Sequence, residues 1–200
     1  MRVERLEVLV EEPSMQAALQ HLLPKMLPDE TTYEIYDHEC KQALLDRLPQ
    51  RLSGYGQWLP KDWRILIVVD RDQDDCIKLK RRITDIVGRT GLAAKQGDGD
   101  WQVGIRLAVE ELEAWYFGDW QAVTTAYPKV GSHISQQAKY RDPDAIPDTW
   151  EAFERVVRKA GYFQGGLRKI EAARRIAEHM DPSRNRSGSF RAFRGLLANL

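Results

Sequence analysis

The stretch Ile65-Leu66-Ile67-Val68-Val69-Asp70-Arg71-Asp72-Gln73-Asp74-Asp75 decides the fold of this chain. Its first five residues are aliphatic, and a continuous apolar run of this kind is typical of a strand that is buried on both faces of a parallel sheet. Four carboxylates follow within the next six residues. Because ligands of open α/β sheets bind at the carboxyl ends of the strands, the stretch predicts a site at that edge of the sheet.

Asp70 and Asp72 are two residues apart, so on an extended backbone their side chains point to the same side. Two carboxylates held this close repel each other unless a positive charge lies between them. Mg²⁺ (or Mn²⁺) would supply that charge, since Mg²⁺ binds one or two carboxylates and completes its shell with water and phosphate oxygens. The alternative is a solvated acidic turn between a strand and a helix.

Further strands and helices alternate along the first part of the chain. The spacing of apolar residues predicts strands over residues 6–10, 32–36, 91–94 and 101–109. We expect helices from Pro13, with a kink or an early end at Pro24, from Lys41, broken by Pro49, and over residues 76–87. This alternation predicts an α/β fold with a mostly parallel sheet and helices on both faces.

The chain changes character beyond residue 120, where prolines and glycines divide it into short pieces. Three helices are predicted there, over residues 150–160, 167–180 and 190–200. We interpret residues 1–120 as the α/β core and residues 121–200 as a helical appendage packed on that core.

The composition indicates a soluble protein. Of the 200 residues, 42% are hydrophobic and 30% are charged, and no apolar run approaches the length of about 18 residues that a membrane span needs. The first residues lack the apolar segment of a signal peptide. Cys40 and Cys76 have no metal-ligand spacing, so we expect free thiols in a cytoplasmic protein.

The charge is unevenly distributed along the chain. From Arg155 to the end there are 11 basic and 3 acidic residues, which leaves 19 basic and 27 acidic residues in the preceding part. This basic tail predicts a nucleic-acid or acidic partner, unless it is only the solvated face of surface helices. The candidate phosphate binders are Lys139, Arg168, Lys169, Arg184 and Arg186.

Carboxylates also follow two other predicted strands. Glu11 comes after the first strand, which is the same kind of position as that of Asp70. Glu113 and Asp119 come after the last strand, and helix capping explains them less well than it explains the two glutamates just before them. We therefore expect Glu11, Asp70 and Asp72 to hold one ion, with Glu113 and Asp119 as contributors to a second.

The order of these carboxylates resembles that in the TOPRIM domain of topoisomerases, primases and overcoming-lysogenization-defect nucleases. That domain has a Glu after its first strand, usually followed by Gly, and a later Asp-x-Asp. Glu11 matches the Glu and Asp70-Arg71-Asp72 matches the pair, whereas Glu12 replaces the Gly. The replacement affects how closely a phosphate can approach the backbone.

More narrowly, most of the chain resembles a bacterial family known as domain of unknown function 4276. The matching pieces are Val10-Glu11-Glu12-Pro13-Ser14, Asp70-Arg71-Asp72-Gln73-Asp74-Asp75-Cys76, Glu113-Ala114-Trp115-Tyr116 with Asp119, and Ser187-Gly188-Ser189-Phe190. The resemblance implies a TOPRIM- or Rossmann-like sheet with a C-terminal helical part. It also implies a role in bacterial defence or mobile elements, often beside an ATPase gene.

Other acidic motifs fit less well. Asp70-x-Asp72-x-Asp74 begins like an EF-hand loop, but Asp75 and Arg81 stand where that loop needs Gly and Glu. A haloacid-dehalogenase-like phosphatase normally starts with its Asp-x-Asp strand, and here the motif comes late. His38, Glu39 and Cys40 lack the further ligands that a zinc site requires.

The sequence therefore predicts a metal-dependent nuclease, with Glu11, Asp70 and Asp72 as the catalytic residues. TOPRIM topoisomerases take their tyrosine nucleophile from another domain, and we expect no such domain here, which favours hydrolysis. The alternative is a non-catalytic TOPRIM-like subunit that binds an ATPase partner protein. The pattern leaves open whether the chain forms a homodimer.

Overall fold

The computed structural model describes residues 2–97 and 99–200, and its centre is a sheet of four parallel strands. The strands are β1 (Arg5–Val10), β2 (Thr32–Asp37), β3 (Trp63–Asp70) and β4 (Val103–Ala108), in the order β2-β1-β3-β4. In register, Val10 pairs with Val68 and Asp70 with Ala108. The predicted α/β class with a parallel sheet is confirmed.

Eight α-helices surround the sheet in the described part of the chain. They are α1 (Pro13–Leu22), α2 (Lys41–Trp58), α3 (Cys76–Gly88), α4 (Glu113–Gly118), α5 (Trp120–Ala126), α6 (Thr149–Lys159), α7 (Lys169–His179) and α8 (Gly188–Leu197). Because successive residues of a strand point to opposite faces, β3 contributes to two separate apolar clusters. Leu66 and Val68 face α1 and the C-terminal helices, whereas Ile65, Ile67 and Val69 face α2 and α3.

The C-terminal helices lie on the α1 face of the sheet. α7 packs along α1, α5 packs on α7, and α8 packs across β4. The contact between α8 and β4 is close at Gly104, because a Cβ atom built there would lie 2.6 Å from Leu196 Cδ2. Residues on both sides of position 120 thus contribute to one apolar cluster.

Two local predictions were wrong. α2 is continuous through Pro49, because Pro49 lies on its solvent-exposed side while Leu44, Leu48 and Leu52 bury the opposite side. Residues 91–94 form no regular strand, and only Ala94 makes an isolated bridge, to Val103. No helix in residues 2–97 and 99–200 has both the length and the apolar character needed to cross a membrane.

Candidate functional site

The strand order places a crevice between β1 and β3. The chain leaves β1 towards β2 on one side and leaves β3 towards β4 on the other, so the winding direction reverses between the two central strands. In open α/β sheets, ligands bind at such a reversal, beyond the carboxyl ends of the strands. Glu11 follows β1 and Asp70 ends β3, so both lie at this crevice.

Glu11 and Asp70 are in direct contact there. The backbone N–H of Asp70 donates to Glu11 Oε2 at 3.2 Å, and each residue is only 6% exposed. Within the described chain, Asp70 Oδ1 is buried and has no hydrogen-bond partner. A buried carboxylate oxygen without a donor is costly, because the charge has lost its water and gained nothing in return.

The surroundings of these two carboxyl groups favour their protonated forms. Burial, and then the charge of Asp72, raise the pKa of Glu11 to about 7. Burial, and then the charges of Glu11 and Glu113, raise the pKa of Asp70 well above its ordinary value. At neutral pH the crevice therefore takes up either protons or a cation.

Asp72 has a different geometry from the predicted one. Its φ of 48° places it in the left-handed region, because β3 ends at Asp70 and the extended-strand argument no longer applies beyond that point. Its carboxylate lies 2.6 Å from Lys41 Nζ, which is also 2.8 Å from Asp74 Oδ2. Asp72 nevertheless remains close enough to raise the pKa of both Glu11 and Asp70.

Glu113 and Lys169 lie on the other side of the crevice. Glu113 begins α4 and is buried, and burial raises its pKa to about 7 although Lys169 opposes the shift. Burial alone would lower the pKa of Lys169, but the charges of Glu113, Glu12 and Glu111 raise it above its ordinary value. Lys169 Nζ lies 3.6 Å from Glu12 Oε2.

We call six of the carboxylates at this end of the sheet the acidic edge: Glu11, Glu12, Asp70, Asp72, Glu111 and Glu113. Lys41 and Lys169 are the lysines that pair with members of the acidic edge. The buried hydroxyl of Tyr116 is another group near Asp70 and Glu113, and it has no hydrogen-bond partner among the described residues.

Asp119 and Arg184 bind each other instead. Asp119 Oδ1 accepts from Arg184 Nε at 2.7 Å, and Oδ2 accepts from Arg184 Nη2 at 2.9 Å and from the backbone N–H of Asp181 at 2.8 Å. Oδ1 also caps α5 by accepting from Ala122 N. These bonds attach the segment before α8 to the start of α5, so both side chains are engaged in holding the fold together.

The predicted phosphate binders Arg168, Lys139 and Arg186 contact residues outside the acidic edge. Arg168 pairs with Glu171 at 2.8 Å, and Lys139 lies over the ring of Tyr140 with its Nζ 4.5 Å from the centroid. Arg186 is exposed, and its backbone N–H donates to Gly118 O. Among the contacts of residues 2–97 and 99–200, Lys169 is the one of the five predicted binders that reaches the acidic edge, at Glu12.

Sequence reasoning missed Lys41, which is the first residue of α2. Its signal was available, because a residue that starts the helix after a parallel strand lies at the same edge as the carboxyl ends of the strands. Lys41 Nζ also donates to Arg71 O at 3.2 Å, which fixes the loop after β3.

The donor set fits a cation that takes few protein ligands. In residues 2–97 and 99–200, no three His, Cys, Asp or Glu side chains are arranged to enclose a metal ion. This geometry does not suit zinc, which requires three or four protein ligands. Mg²⁺ needs only one or two carboxylates besides water and phosphate oxygens, and Glu11 with the unpartnered Asp70 Oδ1 can provide them.

The chain matches one protein family, described as "Domain of unknown function (DUF4276)", over residues 10–200. The match covers nearly the whole chain, and the protein belongs to this family. A search of curated proteins and a search of solved structures each gave no match.

Proposed function

We propose that the protein is a metal-dependent nuclease that hydrolyses phosphodiester bonds of nucleic acid at the acidic edge. The observation that carries the proposal is the contact of Glu11 with Asp70 at the β1/β3 crevice, where Asp70 Oδ1 is buried without a partner. The likeness of Glu11 and Asp70-Arg71-Asp72 to the TOPRIM pattern supports the same chemistry. The free cysteines are compatible with the cytoplasmic location that a bacterial defence role would require.

Three carboxylates of the acidic edge and two lysines beside it have roles in this proposal. Glu11 and Asp70 would hold the cation, and Asp72, which pairs with Lys41, would add negative charge beside it. Lys41 and Lys169 lie on opposite sides of the crevice and attract the phosphates of the substrate. A Mg²⁺ ion bound there would activate water and stabilise the negative charge that develops on the phosphoryl group.

The experiment compares Asp70→Asn with Asp74→Asn. Each change removes one carboxylate from the stretch 70–75, but Asp70 is buried against Glu11, whereas Asp74 is exposed and pairs with Lys41. Cleavage of single- and double-stranded DNA and RNA is measured with Mg²⁺ or Mn²⁺. We expect Asp70→Asn to lower the rate by about 10³-fold or more, because several kcal/mol of transition-state stabilisation depend on the ion. Asp74→Asn should retain most of the rate.

Metal binding is measured in parallel by the melting temperature with and without Mg²⁺. The wild-type protein should melt at a higher temperature with Mg²⁺, and Asp70→Asn should lose that increase. A wild-type protein that cleaves no substrate and shows no metal-dependent increase would contradict the proposal for the chain on its own.

A second candidate function is a non-catalytic subunit that binds an ATPase partner protein. The observation that favours it is the pairing of Asp72 with Lys41 and of Glu12 with Lys169, which neutralises part of the acidic edge without any metal. Adding an ATPase of the kind that the family resemblance implies to the cleavage assay separates the two candidates. Activity that appears only with that ATPase would favour a complex in which this chain still cleaves, provided that Asp70→Asn removes it.

A further inference from the structure

α3 has an unusual concentration of positive charge on its exposed surface. The helix contains four basic residues and one acidic residue, Asp85, and Arg89 at its C-terminal cap adds a fifth basic residue. All five basic side chains belong to exposed residues: Lys78, Lys80, Arg81, Arg82 and Arg89. Four of them line a single shallow depression together with Asp85 and Ile86.

The spacing of these four explains why they share a surface. Lys78, Arg81, Arg82 and Arg89 recur at intervals of three, four and seven residues, which places them along one side of a helix. Leu79, Ile83 and Val87 occupy the opposite side and are buried against the sheet. We call the four exposed residues the α3 basic face.

The basic tail, by comparison, has its charge divided among several elements and partners. Arg184 binds Asp119, Arg168 binds Glu171, and Arg194 Nη1 donates to Pro182 O at 2.6 Å. In the part of the chain that the structure describes, no residue of the α3 basic face has a carboxylate within 4 Å of its charged nitrogen atoms. The positive charge of α3 is therefore available to a partner.

The α3 basic face also begins at the acidic edge. α3 starts six residues after Asp70, and Asp75 caps it by accepting from the backbone N–H groups of Ile77 and Lys78 at 2.9 Å. Ile77 lies at the same end of α3 and is 78% exposed, so its side chain is accessible to a bound strand. From Lys78 to Arg89 the helix rises about 16 Å, which spans about five nucleotides of one strand.

We propose that the α3 basic face binds the phosphate backbone of a nucleic-acid strand and leads it to the acidic edge. The inference rests on the proposed nuclease function and adds the surface that holds the substrate. Lys78, Arg81, Arg82 and Arg89 contact successive phosphates, and Ile77 packs against a base or sugar where the strand reaches the crevice. The face carries charge without a base-reading geometry, so the binding it provides is independent of sequence.

The experiment measures binding of the full chain to fluorescent DNA and RNA strands of about 20 nucleotides, and to the DNA duplex, in EDTA between about 50 and 250 mM NaCl. The test variant carries Lys78→Gln, Arg81→Gln, Arg82→Gln and Arg89→Gln. The control variant carries Arg155→Gln, Lys159→Gln, Arg174→Gln and Arg191→Gln, which remove the same charge from exposed residues of α6, α7 and α8. Melting temperatures of both variants verify folding.

We expect the test variant to bind about tenfold to a hundredfold more weakly at about 100 mM NaCl, and its salt dependence to fall by about three counterions. The control variant should lose less than about threefold. Equal losses in the two variants would overturn the proposal, and so would undetectable wild-type binding to every probe at the lowest salt concentration. Displacement of the strand by polyglutamate, charge for charge, would overturn it in favour of an acidic protein partner.

Asp70→Asn separates this inference from the nuclease proposal. In EDTA this variant should bind each strand at least as tightly as the wild-type protein, because the change leaves the α3 basic face intact and adds no negative charge to the crevice. If α3 carries binding but the protein does not cleave, only the nuclease proposal fails. If cleavage proceeds in the test variant with an unchanged KM, only the assignment of α3 fails.

Discussion

Asp70 and Asp119 are both buried, but the surroundings of their oxygens differ. Asp119 is 1% exposed and accepts four hydrogen bonds, two of them from the guanidinium of Arg184. Asp70 is 6% exposed, and one of its oxygens has no donor in the described structure. Burial is therefore common to a structural carboxylate and a candidate ligand, and hydrogen-bond satisfaction distinguishes them.

The same isosteric change should have opposite effects on stability at these two positions. Asp119→Asn places an amide N–H₂ against the donors of Arg184 and Asp181, so we expect the free energy of unfolding to fall by about 2–4 kcal/mol. Burial and the neighbouring carboxylates oppose the ionisation of Asp70. The neutral amide of Asp70→Asn avoids that cost, so we expect a gain of about 1 kcal/mol without metal at a pH where the wild-type carboxyl is charged. Urea denaturation of both variants measures the difference.

A loss of stability at Asp70 as large as that at Asp119 would remove the distinction between the two sites. Glu178→Gln is a suitable control, because Glu178 lies near the C-terminal end of α7 and is exposed. It should change the free energy of unfolding by less than about 0.5 kcal/mol.

The pH dependence of stability tests the acidic edge as a whole. The folded pKa of Glu113 is about 7, against an ordinary value of 4.5. Between these values the folded state holds a proton that the unfolded state releases, so stability falls as the pH rises through this window and levels off above it. Metal-free Glu113→Gln should therefore lose about 2 kcal/mol less than the wild-type protein between pH 5 and pH 8.

Urea denaturation at several pH values in EDTA gives the two curves. Parallel curves for the wild type and Glu113→Gln would show that the pKa of Glu113 is not raised in the folded state. Addition of Mg²⁺ should also flatten the wild-type curve, because a bound cation favours the charged forms of Glu11 and Asp70.

The sequence predicts the position of Asp70 in the fold, but it does not predict the structural role of Asp119. The five consecutive aliphatic residues predict the position of β3. Because parallel strands all have their carboxyl ends at the same edge of the sheet, Glu11 and Asp70 are then predicted to lie at that edge. Lys41 could have been found from the same topology. The separate role of Asp119 could not, since its partner Arg184 follows 65 residues later and nothing local pairs them.

The orientation of Asp72 depended on a feature that spacing does not encode. An Asp-x-Asp pair predicts two side chains on one side only while the backbone stays extended, and here the strand ends at the first Asp. The position of α3 was predicted well, but its basic side was not recognised as a surface. A count of charges along the chain identifies the basic tail as the most positive segment. It does not show that the helical spacing of Lys78, Arg81 and Arg82 places their charges on one side of α3.

The last and smallest expected effect concerns Gly118, where the segment around Arg184 is attached to the end of α4. Gly118 ends α4 beside Asn185, whose Nδ2 donates to Trp115 O at 2.9 Å. A Cβ atom at Gly118 would lie 2.0 Å from Asn185 Oδ1 and 2.9 Å from Ser187 N, so Gly118→Ala must displace backbone. We expect a loss of about 1–3 kcal/mol in the free energy of unfolding.

Gly54→Ala is the matched control, because Gly54 lies inside α2 with nothing within 4 Å of the added Cβ. This change should stabilise the protein by about 0.5–1 kcal/mol. Because Gly118 belongs to the structural region and not to the acidic edge, the melting-temperature increase caused by Mg²⁺ should be the same in both variants as in the wild type. A smaller increase in Gly118→Ala alone would mean that the two regions are coupled, and the comparison between Asp70 and Asp119 would then have to treat them as parts of one site.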